Sequence, residues 1–231
     1  MGLPWPPPAS EHAMAIRDWY RRSAYLRHEP LLRDLPRRRE LIERAVRPGE
    51  RVLDVGCLGG ALLEHVAGHA VVVGVDVIPE ALLQAGQRGF RPVHADASQP
   101  LPFASGAFDL VHAGEVLEHL FDPLALLREL RRVCKPGGRL IGTVPNVANL
   151  GDRARMVLGR APTVLGAHPD APAGDHIRAL TVARLDTLAQ QAGWVGPGWM
   201  VAIATGGVLP LRWLKELRAQ WADLIWFEYE R

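Results

Sequence analysis

The sequence predicts an α/β fold in which a mostly parallel β-sheet carries helices on both faces. Between residues 51 and 146, short apolar segments alternate with segments of helical periodicity, a pattern typical of β-α-β units with right-handed crossovers. The segment VVVGV at 71–75 is continuously apolar, as expected for a strand that is buried on both sides. Together these observations indicate a parallel sheet between two helical layers.

The predicted elements follow in order along the chain. Helices are expected at 11–28 and 30–47, and the second ends at Pro48 and Gly49. Strands are then predicted at 51–56, 71–77, 91–97, 108–114 and 139–146, and helices at 60–69, 78–89 and 122–134. The C-terminal part adds a helix at 181–193 with Thr181 as its N-cap, strands at 199–204 and 224–230, and a helix at 209–223.

Three regions are predicted from these elements. Residues 1–47 form an N-terminal helical lid segment, and residues 48–231 form the main domain. Within that domain the alternation stops at about 147–180, which suggests an inserted substrate loop. Trp19, Tyr20 and Tyr25 could cover a bound ligand from the lid, although burial in the core explains them equally well.

The composition excludes several classes of protein. A net charge of +2 gives no reason to expect nucleic acid, and the arginines between 17 and 39 are better explained as a solvated helical face than as a phosphate patch. Only two cysteines, Cys57 and Cys134, are present, which fits a reducing, cytoplasmic compartment. We expect neither a signal peptide nor a transmembrane segment, since no continuous apolar run reaches roughly 18 residues.

A glycine-rich turn follows the first predicted strand. In VLDVGCLGG, residues 52–60, the glycines Gly56, Gly59 and Gly60 permit a tight turn and let a ligand approach the backbone. A nicotinamide-binding turn would have a similar sequence, and a bare strand-to-helix turn is the structural alternative. The turn alone therefore predicts a ligand loop without naming its ligand.

Acidic side chains stand at the ends of three successive predicted strands. Asp76 ends the second strand, where a carboxylate can accept both hydroxyls of a ribose, and Asp96 follows the third, where it can accept from an adenine amino group. Asp54 lies in the first turn and could hold an amine-bearing part of the ligand. These acids line the carboxyl edge of the sheet, where open α/β folds bind ligands. Nothing obviously receives a pyrophosphate, which argues against a dinucleotide.

From about residue 48 to 149, the chain resembles the class I S-adenosylmethionine-dependent methyltransferases. The resemblance is carried by five segments in the order of the family's motifs: VLDVGCLGG, VVGVDV, ADASQPLPFASGAFDLV, GEVLEHL and LRRVCKPGGRLIGTVPN. It implies a three-layer, Rossmann-like, seven-stranded sheet whose last strand runs antiparallel between two others. One departure is Leu58, where the family usually has a glycine.

The resemblance also implies a binding site for S-adenosyl-L-methionine. Asp76 would bind the ribose diol and Asp96 the adenine side, with Val77 and Ala97 flanking the adenine ring. Backbone groups near Gly56 and Ala113 would contact the methionine part. The residues that we expect to bind this cofactor are Asp54, Gly56, Cys57, Gly60, Asp76, Val77, Asp96, Ala97 and Ala113.

The segment GEVLEHL, residues 114–120, brings two carboxylates and an imidazole close together in the sequence. Glu115, Glu118 and His119 would lie on one side of a helix. His119 is a candidate general base for a hydroxyl nucleophile. Alternatively, the trio could ligate Mg²⁺ or another divalent cation that favours an alkoxide. A purely structural role is the third interpretation.

This spacing is similar to that of ubiquinone-biosynthesis O-methyltransferases and of small-RNA 3′-terminal 2′-O-methyltransferases. The latter carry a further histidine after a Pro-Asn element, and His176 is the matching candidate here. The resemblance thus gives Glu115, His119 and His176 as catalytic candidates and Glu115, Glu118, His119 and His176 as candidate metal ligands. Asn146 and Arg178 are further candidates near the acceptor, although Arg178 could equally be a surface residue.

The sequence therefore predicts a cytoplasmic, biosynthetic S-adenosylmethionine-dependent methyltransferase. We expect it to methylate an oxygen of a small-molecule or sugar-containing acceptor. Alternatives are an N- or C-methyltransferase, a non-catalytic methyltransferase-like binding module and a nicotinamide oxidoreductase. We expect no nucleic-acid partner.

Leu214, Leu217 and Trp221 lie along one side of the last predicted helix. Burial in the core is the default explanation for these side chains, and a homodimer surface or a membrane contact is the less favoured one.

Overall fold

The computed structural model describes residues 35–163, 176–203 and 222–231. The predicted helix at 11–28 with its three aromatic residues, and Leu214, Leu217 and Trp221, lie outside these ranges. The chain divides into two compact units, residues 1–103 and 104–231, which we describe in turn. The predicted boundary between a lid and a main domain near residue 47 stays a prediction.

The described part of the first unit contains three parallel strands, two α-helices and one 3₁₀ turn. The strands have the order β3-β2-β1, with β2 pairing in parallel with both neighbours. The elements are α1 (Leu35–Ala45), β1 (Arg51–Val55), the 3₁₀ turn η1 (Glu64–Val66), β2 (Val71–Asp76), α2 (Pro79–Gln87) and β3 (Arg91–His94).

The segment after the glycine turn differs from the prediction. A helix was expected over 60–69, but the structure contains only the turn η1 between stretches of irregular turns. Gly59, Gly60 and Gly68 stand at the two ends of this segment, and glycine disfavours an α-helix because fixing its backbone costs more conformational entropy. The apolar side chains Leu62 and Leu63 are nevertheless buried.

The second unit contains four strands in the order β4-β5-β7-β6. Strand β5 pairs in parallel with β4, and β7 runs antiparallel between β5 and β6. Its elements are β4 (Phe108–Gly114), the 3₁₀ turn η2 (Leu117–His119), α3 (Pro123–Val133), β5 (Cys134–Pro145), α4 (Leu150–Val157), α5 (Val182–Gln191), β6 (Val195–Ile203) and β7 (Leu224–Glu230). The predicted α/β class, with a mostly parallel seven-stranded sheet, is confirmed.

Helix boundaries in the second unit follow the expected capping chemistry. The carboxylate of Asp122 accepts a hydrogen bond from the Ala125 N–H at 3.0 Å, and Pro123 begins α3. The Thr181 hydroxyl accepts from the Arg184 N–H at 3.2 Å, so the predicted N-cap of α5 is confirmed.

The predicted substrate-loop insertion contains a helix that its sequence did not indicate. Helix α4 begins after Asn149, whose side-chain oxygen accepts from the Asp152 N–H at 2.9 Å. Asp152 is buried, with 1% exposure, and accepts hydrogen bonds from Asn149 Nδ2 and from both the N–H and hydroxyl of Thr163. This network satisfies a buried carboxylate, which would otherwise be costly, and stabilises the described part of the insertion.

No helix in the described ranges is long and apolar enough to span a membrane.

Candidate functional site

The glycine turn of the first unit has an unusual backbone conformation. Gly56, Leu58 and Gly60 all have positive φ angles, of 69°, 45° and 82°. The N–H groups of Gly56 and Cys57 donate to the Val75 carbonyl at 2.8 and 3.1 Å, which joins the turn to β2. The turn therefore has a defined shape that depends on residues able to adopt left-handed geometry.

Glycine is required at position 60 for a second reason. A Cβ there would lie 3.2 Å from the Phe90 ring and 3.3 Å from the backbone of Ala85. Beside it, Cys57 is buried, with 7% exposure, and burial, reinforced by the charges of Asp54 and Asp76, raises the pKa of its thiol well above the usual range. Cys57 is thus a neutral, buried part of the turn.

Asp76 lies at the end of β2 and connects the strand to the glycine turn. One of its carboxylate oxygens accepts from the Leu58 N–H at 2.8 Å, and the other from the Ile78 N–H at 3.0 Å. The residue is only 7% exposed, and this burial raises its pKa to about 6, although the backbone hydrogen bonds act in the opposite direction. The carboxylate is therefore held in a fixed orientation, and each oxygen keeps further acceptor capacity.

The other predicted residues of the adenosine side also belong to the first unit. Asp54 was expected in the turn, but it is buried within β1, because that strand continues to Val55. Asp96 follows β3, where its carboxylate accepts from the Ser98 N–H at 2.8 Å. Val77 and Ala97 are half-buried, and the Val77 carbonyl accepts from His94 Nε2 at 3.1 Å.

In the second unit, the end of β4 carries a buried alanine and a strained glutamate. Ala113 is fully buried. Glu115 has a φ of 57°, and its N–H donates to the Thr143 carbonyl at 2.8 Å. Among the described residues, the buried Oε1 of Glu115 has no hydrogen-bond partner. A non-glycine residue in this conformation is rare and stores strain.

Three of the four candidate metal ligands come together in the second unit. Glu118, His119 and His176 each offer a ligand atom, and these atoms lie within 4.8 Å of one another. His176 Nε2 is 4.0 Å from Glu118 Oε1, and the two imidazole rings are 4.9 Å apart in an edge-on arrangement. Glu118 is buried, with 1% exposure.

Glu115 is outside this group of three. A helical conformation of this segment would have placed it on the same side as Glu118 and His119, but only the short turn η2 is present. The left-handed backbone of Glu115 interrupts a helical register, since right-handed helices require negative φ.

Backbone hydrogen bonds attach the segment that begins at His176 to η2. The N–H groups of Ile177 and Arg178 both donate to the Glu118 carbonyl, each at 3.0 Å. The Arg178 guanidinium donates to the carbonyls of Leu120, at 3.4 Å, and Phe121. Arg178 therefore stabilises the turn that carries Glu118 and His119, a role that the sequence did not suggest.

Asn146 also has a structural role in this conformation. It is buried, with 1% exposure, and its side-chain amide donates to the Ala222 carbonyl at 2.9 Å. Its own N–H donates to the Asp223 carbonyl at 2.8 Å. These bonds attach the end of β5 to the segment that leads into β7.

Comparison with known proteins identifies a domain in the middle of the chain. Residues 53–142 match a family model described as a methyltransferase domain. This range includes the glycine turn, Asp76, Asp96 and the cluster residues Glu118 and His119, but it excludes His176.

Two similar proteins are named ubiquinone biosynthesis O-methyltransferase. One, from Cereibacter sphaeroides, is 43% identical over 107 residues, which are 42% of each chain. The other, from Pseudomonas putida, is 37% identical over 149 residues, covering 60% of this chain and 62% of that protein. The matched region thus spans less than two thirds of either relative.

Solved structures extend the likeness to nearly the whole chain. A protein from Thermotoga maritima, described as an S-adenosylmethionine-dependent methyltransferase and possible histamine N-methyltransferase, aligns with a TM-score of 0.67. The alignment covers 94% of this chain and 97% of that one at 15% identity. Such low identity establishes a common fold and leaves the acceptor open.

Proposed function

We propose that the chain, whose residues 53–142 match a methyltransferase domain, is a class I S-adenosylmethionine-dependent methyltransferase that methylates an oxygen of a small-molecule or sugar-containing acceptor. The methyl donor is S-adenosyl-L-methionine. The proposal for oxygen is supported by the names of the relatives from Cereibacter sphaeroides and Pseudomonas putida. Methylation of nitrogen or carbon is the nearest alternative.

The observation that carries this proposal is the carboxylate of Asp76. Two backbone N–H groups fix its orientation at the carboxyl end of β2, where open α/β folds bind nucleotides. In the proposed complex its oxygens accept hydrogen bonds from the ribose hydroxyls, which compensates for the cost of burying an acid. A nucleoside without free ribose hydroxyls would leave the Asp76 carboxylate without these hydrogen-bond donors.

The residues around Asp76 fit the rest of the donor. The positive-φ turn at Gly56 and Gly60 presents backbone without an obstructing side chain, and Asp96 offers an acceptor for an adenine amino group. Val77 and Ala97 provide half-buried apolar surfaces for a flat ring. When bound, S-adenosylmethionine supplies a methyl group activated by its sulfonium. The contact of the Ala113 backbone with the methionine part stays a prediction.

This part of the proposal can be tested without knowing the acceptor. We expect the wild-type protein to bind S-adenosylhomocysteine in isothermal titration calorimetry and Asp76→Asn to bind at least about 100-fold more weakly. The amide has no charge and one acceptor oxygen fewer, and a hydrogen bond to a charged group contributes about 1.5–3 kcal/mol. Asp109→Asn, which alters an acid paired with Lys135, is the matched control. Failure of the wild-type protein to bind would favour a non-catalytic module, and binding of NADH instead would favour an oxidoreductase.

We propose that His119 removes the proton of the acceptor hydroxyl. Methyl transfer requires the nucleophile to be aligned and, for a hydroxyl, deprotonated. Glu118 and His176 lie close enough to His119 to orient it or to share a cation with it. Glu115, the other catalytic candidate, is not a member of this cluster in the described structure. Any catalytic role of Glu115 would therefore be separate from that of the cluster.

A divalent cation is the second version of the same chemistry. Mixed carboxylate and imidazole ligands bind borderline and hard divalent ions, and Glu118, His119 and His176 would supply three of them. Calorimetric titration with Mg²⁺, Mn²⁺ and Zn²⁺ should then show binding that Glu118→Gln weakens at least about tenfold. Glu129→Gln, which alters a carboxylate paired with Arg132, should bind normally. Undiminished turnover of the acceptor after chelation and in Glu118→Ala would exclude the metal version.

The acceptor itself requires a direct search. Incubation with isotope-labelled donor and a panel of metabolites, followed by mass spectrometry, should detect one product that has gained a single methyl group. Fragmentation then identifies the methylated atom and decides between oxygen, nitrogen and carbon. His119→Ala should lose rate on that acceptor in both versions of the mechanism; unchanged turnover would leave His119 with a structural role.

Further expectations accompany this proposal. We propose a cytoplasmic location, which the low cysteine content supports, and a small-molecule acceptor in place of nucleic acid. The region around 147–180 would cover the acceptor, and the N-terminal segment would act as a lid. A homodimer stays a prediction that analytical ultracentrifugation can test.

A further inference from the structure

Two arginines donate hydrogen bonds to carbonyls at the end of the glycine turn, one within it and one on the residue that follows it. Arg88 Nη1 donates to the Gly59 carbonyl at 2.5 Å. Arg39 donates to the Ala61 carbonyl through both Nε, at 3.1 Å, and Nη2, at 2.5 Å. The two carbonyls lie on either side of Gly60, so the guanidinium groups hold the turn at its end.

Glu64 connects the two arginines. One oxygen of its carboxylate lies 3.5 Å from Arg39 Nη2 and 3.5 Å from Arg88 Nε. His65, the next residue, donates to the Arg39 carbonyl at 3.0 Å. We call Arg39, Arg88 and Glu64 the arginine clamp. All of its members belong to the first unit, and it joins α1, the residues after α2 and η1 to the same turn.

The turn needs such external contacts because its own conformation is unfavourable. Leu58 has a left-handed backbone that is unfavourable for an L-residue, and the neighbouring glycines lose much conformational entropy when fixed. A strained conformation persists only where surrounding structure determines it. Guanidinium groups suit this purpose, since their planar, charged donors make strong and directional bonds to carbonyl oxygens.

We propose that Arg39 and Arg88, bridged by Glu64, are positioning residues that hold the glycine turn in the shape required to bind the methyl donor. This inference rests on the proposed function. The inference extends the donor site beyond residues 53–142, the range that matches the methyltransferase domain, because Arg39 belongs to α1, which precedes that range. The helix before the domain is then part of the machinery for donor binding.

The experiment measures S-adenosylhomocysteine affinity by calorimetry in Arg39→Met, Arg39→Lys and Arg88→Met. We expect each to weaken binding by about 10-fold to 100-fold, because a turn that is no longer preorganised loses backbone hydrogen bonds to the ligand. Lysine keeps the charge but lacks the fork of donors. Arg39→Lys should therefore resemble Arg39→Met; full affinity in Arg39→Lys would show that charge alone matters and would overturn the clamp.

Two controls separate positioning from general destabilisation. Arg44→Met removes another arginine of α1, one that is largely exposed and pairs with Glu40, and should bind S-adenosylhomocysteine normally. The melting temperature of each variant is measured in parallel, and Arg39→Lys is the mildest substitution if Arg39→Met folds poorly. Hydrogen exchange of the Gly60 amide, which donates to the Cys57 carbonyl at 2.8 Å, should become faster in the clamp variants only.

The outcomes distinguish this inference from the function on which it rests. If the wild-type protein does not bind S-adenosylhomocysteine, the proposed function is wrong, and the clamp's role in donor binding falls with it. If the wild-type and all arginine variants bind equally while Asp76→Asn does not, the donor site stands and the clamp inference is wrong. Reduced affinity together with faster Gly60 exchange supports both.

Discussion

Asp76 shows how burial and hydrogen bonding act against each other on a single side chain. Burial raises its pKa to about 6, while the N–H groups of Leu58 and Ile78 favour the ionised form. The unliganded protein therefore keeps a proton on Asp76 at a higher pH than the unfolded chain does. Protonation of Asp76 therefore stabilises the folded state fully below about pH 4, and this stabilisation is lost as the pH rises through about 6.

Donor binding should depend on pH in the opposite direction. The ionised carboxylate is the better acceptor for ribose hydroxyls, so S-adenosylhomocysteine affinity should rise as the pH increases through about 6. At one pH unit below that value, binding should be about tenfold weaker than its plateau. Calorimetry between about pH 5 and pH 8 would measure this. Asp76→Asn should show weak binding with a much flatter profile, and an equally steep profile in that variant would point to another group.

Leu58 is the position where this chain departs from the family's usual glycine, and its backbone explains the consequence. A φ of 45° is readily adopted by glycine and disfavoured for residues with a Cβ. We expect Leu58→Gly to be more stable than Leu58→Ala by about 1 kcal/mol, the reverse of the usual order of these residues in a helix. Urea unfolding would measure the difference, and a more stable alanine variant would show that the turn relaxes.

At the scale of elements, a glycine in β5 allows the neighbouring strands of the second unit to pack closely against it. A Cβ on Gly142 of β5 would lie 2.0 Å from the Ala113 carbonyl oxygen of β4 and 2.5 Å from the Phe227 ring of β7. The Ala113 carbonyl cannot move far because it is part of the sheet backbone, and the Phe227 ring cannot because it is fully buried.

Gly142→Ala should therefore destabilise the protein by at least about 3 kcal/mol, the upper range for overpacking a core. Gly68→Ala is the matched control, because a Cβ there meets nothing within 4 Å; its effect should stay within about 0.5 kcal/mol. Chemical denaturation followed by circular dichroism would compare the two. Equal stability of both variants would mean that β4, β5 and β7 are less closely packed than described.

The elements also show which sequence patterns were informative. Strands β4 and β7 coincide with the strands predicted at 108–114 and 224–230, and helix α3 lies within the helix predicted at 122–134. Helix α4 was missed because its sequence, LGDRARMV, lies in a region of turn-forming residues and scattered charges, and most of its side chains, including Met156 and Val157, are exposed. Its N-terminus depends on the side-chain cap of Asn149 and on contacts with Thr163, which periodicity does not reveal.

For the molecule as a whole, ligand binding should appear as increased thermal stability. A ligand that binds only the folded state at 100 times its dissociation constant stabilises by about 2.7 kcal/mol. At this chain length, that corresponds to a rise of roughly 5–10 °C in melting temperature. Differential scanning fluorimetry with S-adenosylhomocysteine should show this rise. NADH at the same concentration should show none; a shift with NADH alone would restore the nicotinamide interpretation.

By itself, the sequence determined the α/β class, the glycine turn and the acids at successive strand ends. These depend on local periodicity and on residues next to one another in the chain. Resemblance to known enzymes had already suggested His176 as a partner of Glu118 and His119, and the tertiary structure places these three side chains together. Only the tertiary structure revealed that Arg39 contacts the Ala61 carbonyl 22 residues away. It also separated Glu115 from its neighbours through a positive φ. Such contacts follow from how whole segments pack, and a one-dimensional pattern contains no measure of distance in space.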